Sequence, residues 1–183
     1  MIRGLLWILA AILLAGIVHL STVLAMPQTA TQDAYSRLAP LTPINAVVPL
    51  APPTSKSAVM PFMDPAFAAA VCRYDLTSGS LKLIAPVSQA YTSVTFYTRK
   101  SVAYYAINDR AAGRHSIELD LMTPEQHAAL PEDEDVTAAD RLIIESPSTM
   151  GLIVLRALAP EPGLMPMARQ ALAGATCDIQ PVQ

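Results

Sequence analysis

Three regimes of hydrophobic patterning follow one another along this chain. The first, Leu5 to Met26 (LLWILAAILLAGIVHLSTVLAM), is apolar on every face and holds no Asp, Glu, Lys or Arg. As a helix rising about 1.5 Å per residue it covers about 33 Å, enough to cross a hydrocarbon layer of roughly 30 Å. The pattern predicts an uncleaved transmembrane signal anchor over residues 1–26. A cleavable signal peptide is the open alternative, because Val23 and Ala25 are small enough for the −3 and −1 positions of a cleavage site. Against it, the run is longer than the usual apolar core of about 7–15 residues, and only Met-Ile-Arg precedes it. A buried core helix would have to be apolar all round for six turns at the chain's start. His19, close to Ser21 and Thr22, is expected in the headgroup layer rather than in a proton relay. Arg3 flanks one end of the span, whereas Asp33 and Arg37 come first on the other. That asymmetry puts the N-terminus in the cytoplasm and the remaining ~157 residues outside it.

The second regime runs from Pro27 to Pro65 and carries eight of the sixteen prolines. Proline removes backbone donors and fixes φ, so neither a long helix nor a central strand is expected here. Residues 27–63 read as a Pro-rich linker, an extended stalk below the domain. Ile44 to Leu50 (INAVVPL) and Met60 to Met63 (MPFM) are too apolar for a solvated stalk. They are expected to lie in a groove of the domain as an edge segment.

From Asp64 to residue 183 the period is two. Ala68 to Asp75, a tight turn at Thr77 to Ser80 and Leu81 to Ala85 read as a hairpin with Lys82 on the outer face. Tyr91 to Arg99 alternates Tyr91, Ser93, Thr95 and Tyr97 against Thr92, Val94, Phe96 and Thr98. Ser101 to Ile107 follows a basic corner, and a turn at Asn108 to Gly113 leads to Arg114 to Met122. There Ile117, Leu119 and Leu121 point one way and Ser116, Glu118 and Asp120 the other. Thr123 to Leu130 has a helix start, with Thr as N-cap and Pro at the first position. An acidic loop at Glu132 to Asp135 precedes strands at Arg141 to Glu145 and Gly151 to Leu158. An amphipathic helix over about Leu164 to Ala173 ends the series. Some seven strands with two small helices predict a mainly β domain, an antiparallel β-sandwich or rolled sheet with one face wet.

Composition changes this picture only at the margins. The apolar fraction of 52% is inflated by the first segment and implies no further crossing. Beyond Met26 there are eleven Lys plus Arg against fifteen Asp plus Glu, a net of −4. That sign disfavours nucleic acid and close docking on anionic lipid. The only cysteines are Cys72 and Cys177. In an oxidising compartment they can tie the first strand of the domain to its C-terminal tail; otherwise they are two buried thiols.

Candidate chemistry is sparse. His115 and His127 are the histidines beyond the span, with no GxSxG, so no catalytic residues are assigned and solvated surface histidines are expected. The acidic loop lacks the spacing and glycine of a calcium site, and Met60, Met63, Met165 and Met167 read as core packing, so no metal and no cofactor are expected. The least ordinary feature is an aromatic and basic cluster: Arg73, Tyr74, Tyr91, Tyr97, Arg99, Tyr104, Tyr105 and Asn108. Five of the six tyrosines lie between 74 and 105. Their hydroxyls can converge on one sheet face suited to a ligand or partner, or can pack within the sheet. Tyr91, Tyr97, Arg99, Tyr104, Tyr105 and Arg156 are the candidate ligand-binding residues. Arg156 interrupts the apolar run GLIVLRAL and is expected to be buried and paired with Glu145 or Asp109.

These stretches resemble the domain of unknown function numbered 1254. In that family a Y-x-S-x-x-x-x-D strand follows a P-x-x-x-x-Y segment, and a P-T turn leads to an apolar strand ending in Arg. Tyr91, Ser93, Pro147, Thr149 and Arg156 match, while Thr98 stands where the family pattern has the acid. The resemblance covers about Asp64 to Cys177 and implies a β-sandwich. It also implies a partner domain of unknown function numbered 1214, in the same chain or in a neighbouring protein. This chain resembles a short, anchored form with a separate protein partner. The expectation is a bacterial inner-membrane protein with one span and a periplasmic binding or assembly module. The alternative is a subunit of an envelope enzyme with a Tyr/Arg-lined pocket.

Overall fold

A computed structural model describes residues 2–29, 33–112, 115–130 and 142–181. They form two units, Met1–Asp33 and Ala34–Gln183. The first is a helix, α1 (Ile2–Thr29). Its stretch Ile2–Met26 has a mean hydropathy of 2.4 with none of its apolar window buried. That helix is long and apolar enough to cross a membrane, a test that a signal sequence also meets.

The second unit is mostly β. In chain order it contains α2 (Ala34–Leu38), β1 (Val47–Pro49), β2 (Phe67–Asp75), β3 (Gly79–Pro86), β4 (Thr92–Thr98) and β5 (Ala103–Asn108). There follow α3 (Asp109–Ala112), β6 (Ser116–Met122), α4 (Pro124–Ala128), β7 (Leu142–Glu145), β8 (Met150–Leu158), α5 (Met165–Ala173) and β9 (Thr176–Pro181). One sheet has the order β1-β2-β8-β4-β5 and the other β7-β6-β3-β9. The core lies between them: Cys72, Tyr74, Phe96, Ile153 and Leu155 from the first sheet meet Leu81, Leu83, Ile117, Leu119 and Leu121 from the second. Ala168 and Leu172 of α5 close one side. The predicted period-two faces hold in β3 and β4, where Thr92, Val94 and Phe96 are buried and Lys82 is exposed, but in β6 Asp120, expected on the wet face, is buried.

Three expectations are corrected. The residue 68–85 stretch is not a hairpin, because β2 pairs with β1 and β8 while β3 pairs with β6 and β9. Its tight turn is a corner between sheets, where buried Leu76 donates its amide to Thr149 O at 2.8 Å and its carbonyl accepts from Gln126 Nε2 at 2.8 Å. The two packed, mainly antiparallel sheets are as expected, with β6 and β7 a parallel pair. The expected turn at 108–113 contains α3, and the C-terminal tail supplies β9. The compact unit begins at Ala34 and not at residue 64. Within the expected linker, β1 adds an edge strand to β2, as expected of Ile44 to Leu50, whereas the burial of Tyr35 and Leu38 of α2 was not expected. The reason is apolar area. A second cluster of Leu38, Val71 and Leu152, with Leu50, Val59 and Met60 against it, covers the outer face of the five-stranded sheet. Burying such side chains outweighs the solvation of a stalk. The Thr123 N-cap is as expected, with a full capping box to Gln126. The expected acidic loop at 132–135 lies outside the described residues.

Candidate functional site

Alternation along β8 sends Ile153 and Leu155 to the core and Leu152, Val154 and Arg156 to the outer face. Arg156 is therefore exposed, and the expected buried ion pair with Glu145 or Asp109 is not formed. Glu145 Oε1 instead meets His127 Nδ1 at 2.6 Å on the surface, and Asp109 Oδ1 is buried without a hydrogen-bond partner. No ion pair holds Arg156 among the described residues. An arginine in an apolar run is buried only if the strand is covered on both faces there, and the outer face is open at this point.

Arg156 stands in the wall between two cavities. In register across the sheet it has Ala69 on one side and Ser93 on the other, with Asn108 beyond. The cavity towards β5, about 400 Å³, is lined by Tyr91, Ser93, Thr95, Tyr105, Asn108 and Arg156 among others. It offers hydroxyls, an amide and a guanidinium, groups that orient a polar ligand. The cavity towards β1 and β2, about 340 Å³, is mostly apolar, with Leu38, Leu50, Met60, Val71, Tyr97, Leu152 and Val154 around it and Arg156 at its wall. Four of the six candidate ligand-binding residues, Tyr91, Tyr97, Tyr105 and Arg156, thus surround this part of the outer face.

The other two go elsewhere. Tyr104 turns inward, where its hydroxyl meets that of Tyr74 at 3.1 Å, and Tyr74 in turn reaches Ser146 Oγ at 2.9 Å and Tyr97 O at 3.3 Å. Burial, then the neighbouring Tyr74 hydroxyl, push the Tyr104 phenol well above its ordinary value, with a hydrogen bond to Ser146 pulling the other way. This is packing polarity. It fastens the Ser146–Met150 turn, whose Ser146 Oγ donates to Ser148 O at 2.6 Å. Gly151 is required here because a Cβ would collide with the Tyr97 carbonyl and the Tyr74 hydroxyl. Of the two arrangements open for the five tyrosines, convergence on one face and packing within the sheet, Tyr74 and Tyr104 take the second. A bulge after Phe96 shifts the β4–β5 register and sends Tyr104 to the interior.

Arg99 stacks over the ring of Tyr35, its guanidinium carbon 4.2 Å from the centroid, and Arg73 lies over the same ring at 4.7 Å. Two cations share one aromatic ring, an arrangement that holds α2 to the sheet. The Arg73 Nε is buried and unpaired. Tyr35 was the tyrosine outside the sequence cluster, and only its contact with two arginines distant in sequence reveals its role. Asn45, at φ 55°, exchanges hydrogen bonds with the Asp75 backbone, Asp75 N to Oδ1 at 2.8 Å and Nδ2 to Asp75 O at 3.2 Å. It fastens the segment that enters β1.

Cys72 and Cys177 form a disulfide with Cα atoms 6.6 Å apart. It joins β2 of one sheet to β9 of the other, inside the core.

No protein-family model matches the chain. No curated protein matches it either. Among solved structures, the VPA0106 protein of Vibrio parahaemolyticus is similar, with a TM-score of 0.58 at 12% identity over 82% of this chain. The likeness shows a shared mostly β fold. It spans only 37% of the Vibrio protein, little more than a third of that chain's length. An uncharacterized protein of Burkholderia cenocepacia aligns over 76% of this chain and 35% of its own, at 12% identity and a TM-score of 0.47.

Proposed function

We propose that this chain is a bacterial inner-membrane protein with a single N-terminal span, whose periplasmic β-domain resembles the domain of unknown function numbered 1254 and serves as a binding or assembly module. Its partner is a separate protein carrying the domain of unknown function numbered 1214. The observation that carries the reading is the N-terminal helix, whose apolar window is wholly unburied. A helix apolar all round needs a lipid or protein environment to cover it. The inter-sheet disulfide supports the compartment, because such bonds persist outside the reducing cytoplasm.

The test has two arms. Protease added to intact spheroplasts is expected to degrade the β-domain while a cytoplasmic marker survives; protection of the domain overturns the topology. Tagged full-length chain, co-expressed with the 1214-type protein of the same genome and extracted in detergent, is expected to retain it in stoichiometric amount. A turnover lost on Arg156→Ala with the fold retained would replace the module reading by the enzyme-subunit alternative.

A further inference from the structure

The apolar cavity on the outer face of the five-stranded sheet, about 340 Å³, falls in the lower part of the size range of small-molecule sites. Among its lining residues, Met60, Met63, Phe67, Ala69 and Val154 are only partly buried and leave apolar surface accessible, while Val71 and Leu152 lie beneath Leu38. Arg156 is the one cation on its lining among the described residues, and no ion pair there neutralises it. The acid on the same lining is Asp64, whose carboxylate accepts from the Ala66 amide at 2.9 Å. Phe62, also on the lining, is fully exposed at φ 58°. A bulky residue held in left-handed backbone with its ring in water carries two unfavourable features at once, and both sit on this rim.

We propose that this groove binds an aliphatic carboxylate, with its chain along Val154, Ala69, Met63 and Met60, its carboxylate on the Arg156 guanidinium, and its outer side covered in part by Phe62. Charge complementarity selects the head group. A guanidinium presents a planar fork that matches a carboxylate. One cation with an acid on the same lining suits a monoanion better than a dianionic phosphate. The aliphatic and thioether lining selects the tail. The inference goes beyond the assembly reading and needs no protein partner, so the two fail separately.

The probe is a ten-carbon carboxylate with a terminal diazirine, applied to the full-length chain in nanodiscs of zwitterionic phospholipid, with decanoate and decanol as competitors. Photolabel is expected in the peptides spanning residues 60–67 and 150–158, displaced by decanoate and not by decanol. Arg156→Gln is expected to lower that labelling about tenfold, the loss of one charge-assisted contact, while Arg156→Lys retains most of it. Val154→Trp, which fills the groove, is expected to abolish it with the far-ultraviolet dichroism unchanged. Labelling confined to residues 2–26 overturns the site. Equal labelling of Arg156→Gln, or equal competition by decanol, overturns the role of the arginine and with it the carboxylate specificity.

Discussion

A tyrosine hydroxyl on an edge strand is ordinarily free to ionise near pH 10. Tyr104 is not, because burial and the hydroxyl of Tyr74 disfavour its anion. In the folded protein its pKa lies above the unfolded value, so its contribution to stability is fully present below about pH 10. Above that the unfolded chain binds fewer protons than the folded one, and stability falls as pH rises. Urea midpoints measured between about pH 9 and pH 11 are expected to drop with a shallower slope in Tyr104→Phe than in the parent. An identical slope would mean that Tyr104 ionises normally in the fold. At this scale the sequence marked the aromatic residues of the middle strands but not their directions. Tyr97 and Tyr104 differ in destination because of one bulge, and a bulge is decided by the partner strand.

Among the elements, α2 has five residues, too short to be stable by itself. Its position depends on Leu38 in the outer cluster and on the contacts of the Tyr35 ring with the Arg73 and Arg99 guanidiniums. Tyr35→Ala removes a buried ring and both cation contacts, and is expected to cost roughly 2–4 kcal/mol. Limited proteolysis should then open residues 39–64 before the sheets unfold, whereas Tyr35→Phe, which keeps the ring face, should protect as well as the parent. Equal protease resistance in the alanine variant would show that α2 is held by Leu38 alone. The strands themselves were legible from alternation: β4, β6 and β8 fall within a residue or two of the predicted ranges. Their neighbours were not. Two strands joined by a three-residue corner at residues 76–78 read locally as a hairpin, and only competition from β1, β6, β8 and β9 for their edges sends them to different sheets.

Across the whole molecule, the Cys72–Cys177 bond closes a separation of 105 residues and links the two sheets. Constraining so long a loop in the unfolded chain stabilises by roughly 2–5 kcal/mol. Full-length protein in micelles is expected to lose that amount in urea titrations run in reductant, and Cys72→Ser with Cys177→Ser should reproduce the loss without reductant. A double variant as stable as the parent would show that packing alone holds the sheets. The order of regimes was determined by the sequence: an apolar helix first, a proline-rich stretch next, a β-domain last. Each follows from local chemistry, namely helix length, proline's missing donor and period-two burial. The pairing of β2 with β8, the docking of α2 on the outer face, the outward turn of Arg156 and the separation of Tyr104 from Tyr91 and Tyr105 were decided only by tertiary structure. Each depends on which surface another part of the chain leaves open, and that surface exists only once the two sheets have packed.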